Sequence, residues 1–270
     1  MKNERMWAEL GWRDCRGGTM AKAIAVLSLA AIEQHGPHLP LGTDAMIMEG
    51  YLERVFERLP GGLDVRFLPM LYVGTSGEHL SFPGTLSLRP ETLLNVLADI
   101  GGSVARAGCR KVVLLNSHGG NSAVINIAAR ELRLRHDMLA VSASWQRFGY
   151  PDGLFDEGEL AHGIHGGDVE TSLMLAFRPA HVRMGEAGNF VPASLKMEQE
   201  NNWLRADRPA GFGWLAQDLS RSGAMGDASQ ASAEKGEACA EHGATAFVEL
   251  LRDVESFDLT MLTNGPEGAN

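Results

Sequence analysis

Cysteine is scarce in this sequence. Three residues in 270, Cys15, Cys109 and Cys239, are odd in number and show no paired spacing, which excludes a disulfide framework and points to a reducing compartment. Long apolar runs are missing too. The longest, residues 21–32, is interrupted by Lys22 and Ser28 and is too short to cross a bilayer. The opening Met1-Lys2-Asn3-Glu4-Arg5 lacks the pattern of a secretory signal, so a cytoplasmic location is expected and no membrane partner. Positive charge is in deficit: the formal net charge is -10, without a basic cluster, so a nucleic acid polymer would be repelled. A small-molecule partner is the expectation that remains.

With 44% hydrophobic and 21% charged residues, the chain can bury a substantial core, and no linker or internal repeat divides residues 1–270. Short runs of Val, Ile and Leu alternate with stretches of helical period. That pattern predicts an α/β fold with a mostly parallel sheet covered on both faces. Strands are expected at 24–29, 65–72, 111–116 and 138–145. Helices are expected at 44–58, from Pro90 through Val104, at 121–135, 168–177 and 229–253. Residues 185–227, rich in Gly, Pro, Asn and Trp, read as one long irregular excursion.

Polar residues crowd the points where the predicted strands end, and in open α/β sheets the crevice beyond those ends is where ligands bind. In the extended segment Glu33-Gln34-His35, residues two apart face the same way, so a carboxylate and an imidazole can act together. Asp44, at a helix start, can cap that helix or bridge two cations. His118 follows a buried strand and precedes Gly119-Gly120, where the backbone can turn sharply toward a ligand. The segment from His162 to Ser172 adds His165, Asp168 and Glu170; Asp168 reads as a residue of the first helical turn. Three carboxylates and two imidazoles suit Zn, Mn or Fe better than Ca or Mg. An Asp44 bridge would let two cations share one hydroxide and polarise a carbonyl together.

Several motifs in order resemble the creatininase family of amidohydrolases: Glu33-Gln34-His35-Gly36 with Leu39-Pro40-Leu41 and Thr43-Asp44, Phe82-Pro83-Gly84-Thr85, Asn116 to Asn121, His165-Gly166-Gly167 running into Val169-Glu170-Thr171, and Ala231 to Glu237. The resemblance implies a three-layer α/β/α sandwich, a homo-oligomer that is a hexamer in many members, and two divalent metal ions, with zinc first and manganese or iron as alternatives. It implies that Glu33, Asp44 and His118 hold one metal and that His35 and Asp44 hold the other. Creatininase takes its remaining carboxylate from the position of Gly120, so Glu170 is the expected substitute. His165 matches the catalytic histidine that handles the proton of the leaving nitrogen. The glutamate preceding that histidine in creatininase is Ile164 here.

Trp145 matches an aromatic wall of the creatinine pocket, whereas the tryptophan that closes over creatinine falls at about Ala161, which argues against creatinine itself. Glu78 and His79 are candidates for substrate contact or acid/base work. The implied function is metal-dependent cleavage of a non-peptide C–N bond in a small cyclic or formyl amide, by metal-bound hydroxide. Three alternatives stand beside it: a peptidase on a short modified peptide, a hydrolase that opens an oxidised cyclitol or lactone ring, and a metal-retaining binding protein.

Overall fold

The computed structural model describes residues 3–265. Its centre is a four-stranded, wholly parallel sheet built from β1 (Ile24–Leu29), β2 (Val65–Phe67), β3 (Lys111–Asn116) and β4 (Leu139–Ser144), in the order β2-β1-β3-β4. The helices are α1 (Thr43–Arg58), α2 (Pro90–Arg106), α3 (Ser122–His136), α4 (Glu157–His162), α5 (Asp168–Phe177), α6 (Ala193–Glu200), α7 (Ala216–Leu219) and α8 (Ala233–Ser256).

Alternation along the central strands produces the layers. Ile24, Val26, Val113 and Leu115 face a core with Ile47, Tyr51 and Val55 of α1, Leu173 of α5 and Phe247 and Leu251 of α8. Ala25, Leu27, Leu29, Val112 and Leu114 face the other side, against Leu93 and Leu97 of α2 and Ile125 and Leu132 of α3. Both faces are dry because every residue of β1 and β3 is buried, which is why those strands read as continuous apolar runs. The expected α/β/α sandwich is therefore the fold.

Some boundaries differ for local reasons. The second strand stops at Phe67 rather than running to residue 72: after Leu68 N donates to Val26 O at 2.9 Å, one extra residue breaks the two-residue rhythm of the ladder. Pairing resumes where Leu71 N donates to Ser28 O at 3.0 Å. The last helix begins at Ala233, later than expected, where the Ser232 side chain accepts from Lys235 N and caps it. Residues 185–227 hold more order than their composition suggests. They carry α6, α7 and the short strands β5 (Asn189–Phe190), β6 (Leu204–Arg205), β7 (Ala210–Gly211) and β8 (Gly226–Asp227), with a small core of Ala216, Leu219 and Met225. Among the described residues no helix is long and apolar enough to cross a membrane.

Candidate active site

The site lies beyond the carboxyl ends of β1 and β3. After β1 the chain stays extended: Leu86 N donates to Ile32 O at 2.8 Å and Glu33 N to Leu41 O at 2.9 Å. That conformation sends Glu33 and His35 into one cluster while Gln34 contacts Gly223. Asp44 is the second residue of α1, whose N-cap is Gly42; its carboxylate caps nothing, which leaves it free to face the cluster. His118 follows β3 and is fixed by Asn116, whose side chain donates to His118 O at 2.5 Å and accepts from His118 N at 3.1 Å. Asn121 binds three loops at once. It donates to Ala30 O and to Asn116 Oδ1, each at 3.1 Å, and accepts from Thr75 N at 2.9 Å.

The separations are short. His118 Nδ1 lies 3.2 Å from Glu33 Oε1 and 3.5 Å from Asp44 Oδ2. His35 Nε2 lies 3.6 Å from Asp44 Oδ1 and 3.8 Å from Glu170 Oε2. Asp44 thus turns one oxygen toward each imidazole, the arrangement a bridging carboxylate needs. Glu33, His35, Asp44, His118 and Glu170, five residues from four separate segments, are brought together. His165 stands beside them, its Nδ1 3.7 Å from Glu33 Oε1, and its ring lies between those of His35 and His79, with centroids 4.1 and 4.3 Å away.

Backbone carbonyls set the tautomers of three of these rings. A nitrogen facing a carbonyl must carry the proton, and the other nitrogen of a neutral ring then holds the lone pair. His35 Nδ1 faces Glu33 O at 3.0 Å, His118 Nε2 faces Thr75 O at 2.7 Å, and His165 Nε2 faces Gln34 O at 2.6 Å. The lone pairs left over, His35 Nε2, His118 Nδ1 and His165 Nδ1, all point into the cluster.

Electrostatics separates these imidazoles into two classes. Burial opposes charge on His118, but Glu33, Asp44 and Glu78 outweigh it and raise its pKa to about 10. His35 is likewise depressed by burial, yet Asp44, Glu170 and Glu33 lift it to about 9. His165 is lowered to about 4 by burial and the neighbouring His35. Burial raises Asp44 to about 6 with help from Glu33, while His118, His165 and His35 together overcome burial to hold Glu33 below the ordinary carboxylate range.

The donor set fits a pair of divalent cations. Both oxygens of Glu33, Nε2 of His35 and Oδ2 of Asp44 are buried without a hydrogen-bond partner. Each such atom costs about 1–3 kcal/mol unless something binds it, and all four belong to one cluster of mixed oxygen and nitrogen donors, the kind zinc and manganese take. Glu33, His35 and Asp44 lie close enough to share one ion; so do His35, His165 and Glu170, and so do Glu33, Glu78 and His118.

Other expectations fare differently. Trp145 was expected on the substrate wall, but the structure places it in the core. Only 4% exposed, its ring stacks on Tyr51 at 4.1 Å, and its Nε1 donates to Met48 Sδ at 3.4 Å. The chain turns immediately after β4, so the indole drops between α1 and α8 instead of reaching the crevice. Asp168 binds Ser172 and Lys235, a structural role, and His162 pairs with Ser194 and Glu198 away from the cluster. Glu170 also accepts from Gly166 N at 2.6 Å. Glu78 comes within 3.5 Å of His118 Nε2. A Cβ at Gly120 would lie 2.5 Å from both Glu78 Oε1 and His118 Nε2 and 2.6 Å from Thr75 O, so these three groups together fill the space a side chain there would need. Sequence reasoning missed Gln34. Its position between two inward-facing residues was the available signal, since alternation turns it toward the loop that carries His79.

The comparisons agree with this geometry. The family model described as creatinine amidohydrolase matches residues 8–251. The chain is 32% identical over 262 residues to the creatinine amidohydrolase of Pseudomonas putida, covering 91% of this chain and 95% of that one. It is 31% identical over 251 residues to the mycofactocin precursor peptide peptidase of Mycobacterium ulcerans, covering 90% and 87%. A solved creatininase Mn structure matches 94% of this chain and 99% of its own, with 27% identity and a TM-score of 0.74. On this extent of sequence and fold, the chain belongs to the creatinine amidohydrolase, or creatininase, family.

Proposed function

We propose that this creatininase-family amidohydrolase is metal-dependent and cleaves a non-peptide C–N bond in a small cyclic or formyl amide. One divalent cation would be held by Glu33, Asp44 and His118, the other by His35, Asp44 and Glu170. The observation that carries the reading is that four buried, partnerless donor atoms belong to Glu33, His35 and Asp44, three residues close enough to share an ion. When bound, the two ions supply Lewis acidity, polarising a carbonyl and lowering the pKa of water.

The chain's own residues supply the rest. The Gln34 carbonyl turns the lone pair of His165 Nδ1 inward, and burial beside His35 keeps that ring neutral. His165 accepts a proton from the attacking water at Nδ1 and passes it to the departing nitrogen. The carbonyls of Glu33 and Thr75 hold His35 and His118 in the tautomers that present a lone pair.

The test is His118→Ala, assayed for bound metal and for turnover of formamides, cyclic ureas, hydantoins and lactams. Metal and activity are expected to vanish together. Full turnover by the metal-free variant would end the reading. A second reading, peptidase action on a short modified peptide, is favoured by the 31% identity to a precursor peptide peptidase. Cleavage of a precursor peptide with no turnover of small amides would replace the first reading with this one.

A further inference from the structure

His79 is buried next to Glu33 and His165, and those three residues lie close enough to hold an ion of their own. Whether they could do so depends on which nitrogen of His79 carries its proton. His79 Nδ1 faces Gln34 Nε2 at 2.8 Å, and His79 Nε2 faces Glu33 Oε1 at 3.4 Å.

The Gln34 amide has one permitted orientation. Its oxygen accepts from Gly36 N at 2.9 Å, and its nitrogen donates to Gly223 O at 3.1 Å. An amide flipped end for end would set N–H against N–H and oxygen against oxygen at these two contacts. With the orientation fixed, the amide nitrogen has one further hydrogen, and that hydrogen points at His79 Nδ1. Nδ1 is therefore the acceptor, and the ring proton sits on Nε2. Gly223 permits the arrangement: its φ is +87°, and a Cβ there would lie 1.9 Å from Gln34 Oε1. An Nδ1 that accepts a hydrogen bond carries no proton, so the ring is neutral and the tautomer is defined.

We infer that Gln34 is a positioning residue that locks His79 as its Nε2–H tautomer, making His79 a hydrogen-bond donor turned into the site and unable to ligate metal. His79 and His165 then form a complementary pair. The stacked rings set an N–H, 3.4 Å away, and a lone pair, 3.7 Å away, beside the same Glu33 oxygen. The tautomer follows from hydrogen-bond geometry alone; its catalytic use rests on the hydrolase reading, where His79 offers its N–H to an acceptor oxygen while His165 moves the proton.

The protein labelled with 15N at histidine, metal-free and zinc-loaded, tests the inference through two-bond 15N–1H correlation spectra. His79→Asn assigns the signal by its loss. The expected result is a bare Nδ1 and a protonated Nε2, unchanged by zinc. Gln34→Glu, which sets a carboxylate oxygen against Nδ1, is expected to move the proton to Nδ1 while the fold, read from dispersion of the backbone amide spectrum, persists. A protonated Nδ1 in the wild type, or loss of the Nε2 proton on adding zinc, overturns the inference. The wild-type spectra decide the matter even if the variant misfolds, and they do so whether or not any amide is turned over.

Discussion

The floor and the rim of the site are built differently. The floor is Glu33, His35, Asp44 and His118, with side chains 0–5% exposed, seated where β1 and β3 end and α1 begins. The rim is Glu170 and Glu78, 18% and 22% exposed, carried by the first turn of α5 and by a single 3-10 turn at Gly77–His79. Side-chain geometry in the floor is dictated by where two paired strands end and one helix begins. At the rim it depends on segments that water can reach, where charge is screened and side chains can move. The floor should fix which metals bind, and the rim should adjust how tightly.

The sharpest way to break that distinction is Asp44→Asn, which removes the residue facing both imidazoles. Metal content, measured by mass spectrometry after dialysis, should fall by more than the roughly 10–100-fold that loss of an outer partner costs. Retention of both ions would mean that Asp44 bridges nothing. Glu170→Gln should be milder, weakening one of two zinc sites by about 10–100-fold and leaving the other intact. Two resolved phases in a competitive zinc titration would show this.

A third outcome concerns pH. His35 and His118, raised to about 9 and about 10, must lose protons before they can bind metal. Zinc affinity should therefore rise between pH 6.5 and 9, by up to about tenfold per unit for each proton released. The same protons stabilise the metal-free fold. Because both folded pKa values lie above the ordinary 6.5, that stability is complete below 6.5 and fades as pH climbs through 9 to 10. The melting temperature of the metal-free protein should thus fall over this range while the gain on adding zinc grows. The smallest effect belongs to Glu78→Gln, which should change zinc affinity only a few-fold, within the range of partly exposed pairs. A loss as large as that for Asp44→Asn would move Glu78 from rim to floor.

The sheet was legible in the sequence because β1 and β3 are buried on both faces, which leaves an unbroken apolar signature at the right length. The floor was legible because strand alternation and strand ends place Glu33, His35 and His118 by rule, and the family motifs then added Asp44 to the floor and Glu170 to the rim. Trp145 was misplaced because residue type alone does not say whether an aromatic at a strand end faces the crevice or the core; the turn into Trp145–Phe148 decides that. The second strand was drawn too long because an extra residue between Leu68 and Leu71 breaks its pairing with β1 without breaking the apolar run. Gln34 was hidden because its partners, Gly223 and His79, lie 189 and 45 residues away. The order within 185–227 was equally hidden: its helices are short and rest on contacts such as Trp214 Nε1 donating to Ala206 O at 2.8 Å, rather than on periodicity.

The space above Gly120 carries one more consequence. Two acids compete for a single volume there, one projecting from residue 78 and one that any longer side chain at residue 120 would introduce. Installing a carboxylate at 120 therefore takes more than evicting Glu78: its Cβ would also lie 2.5 Å from His118 Nε2 and 2.6 Å from the Thr75 carbonyl, so the backbone that seats His118 would have to shift as well.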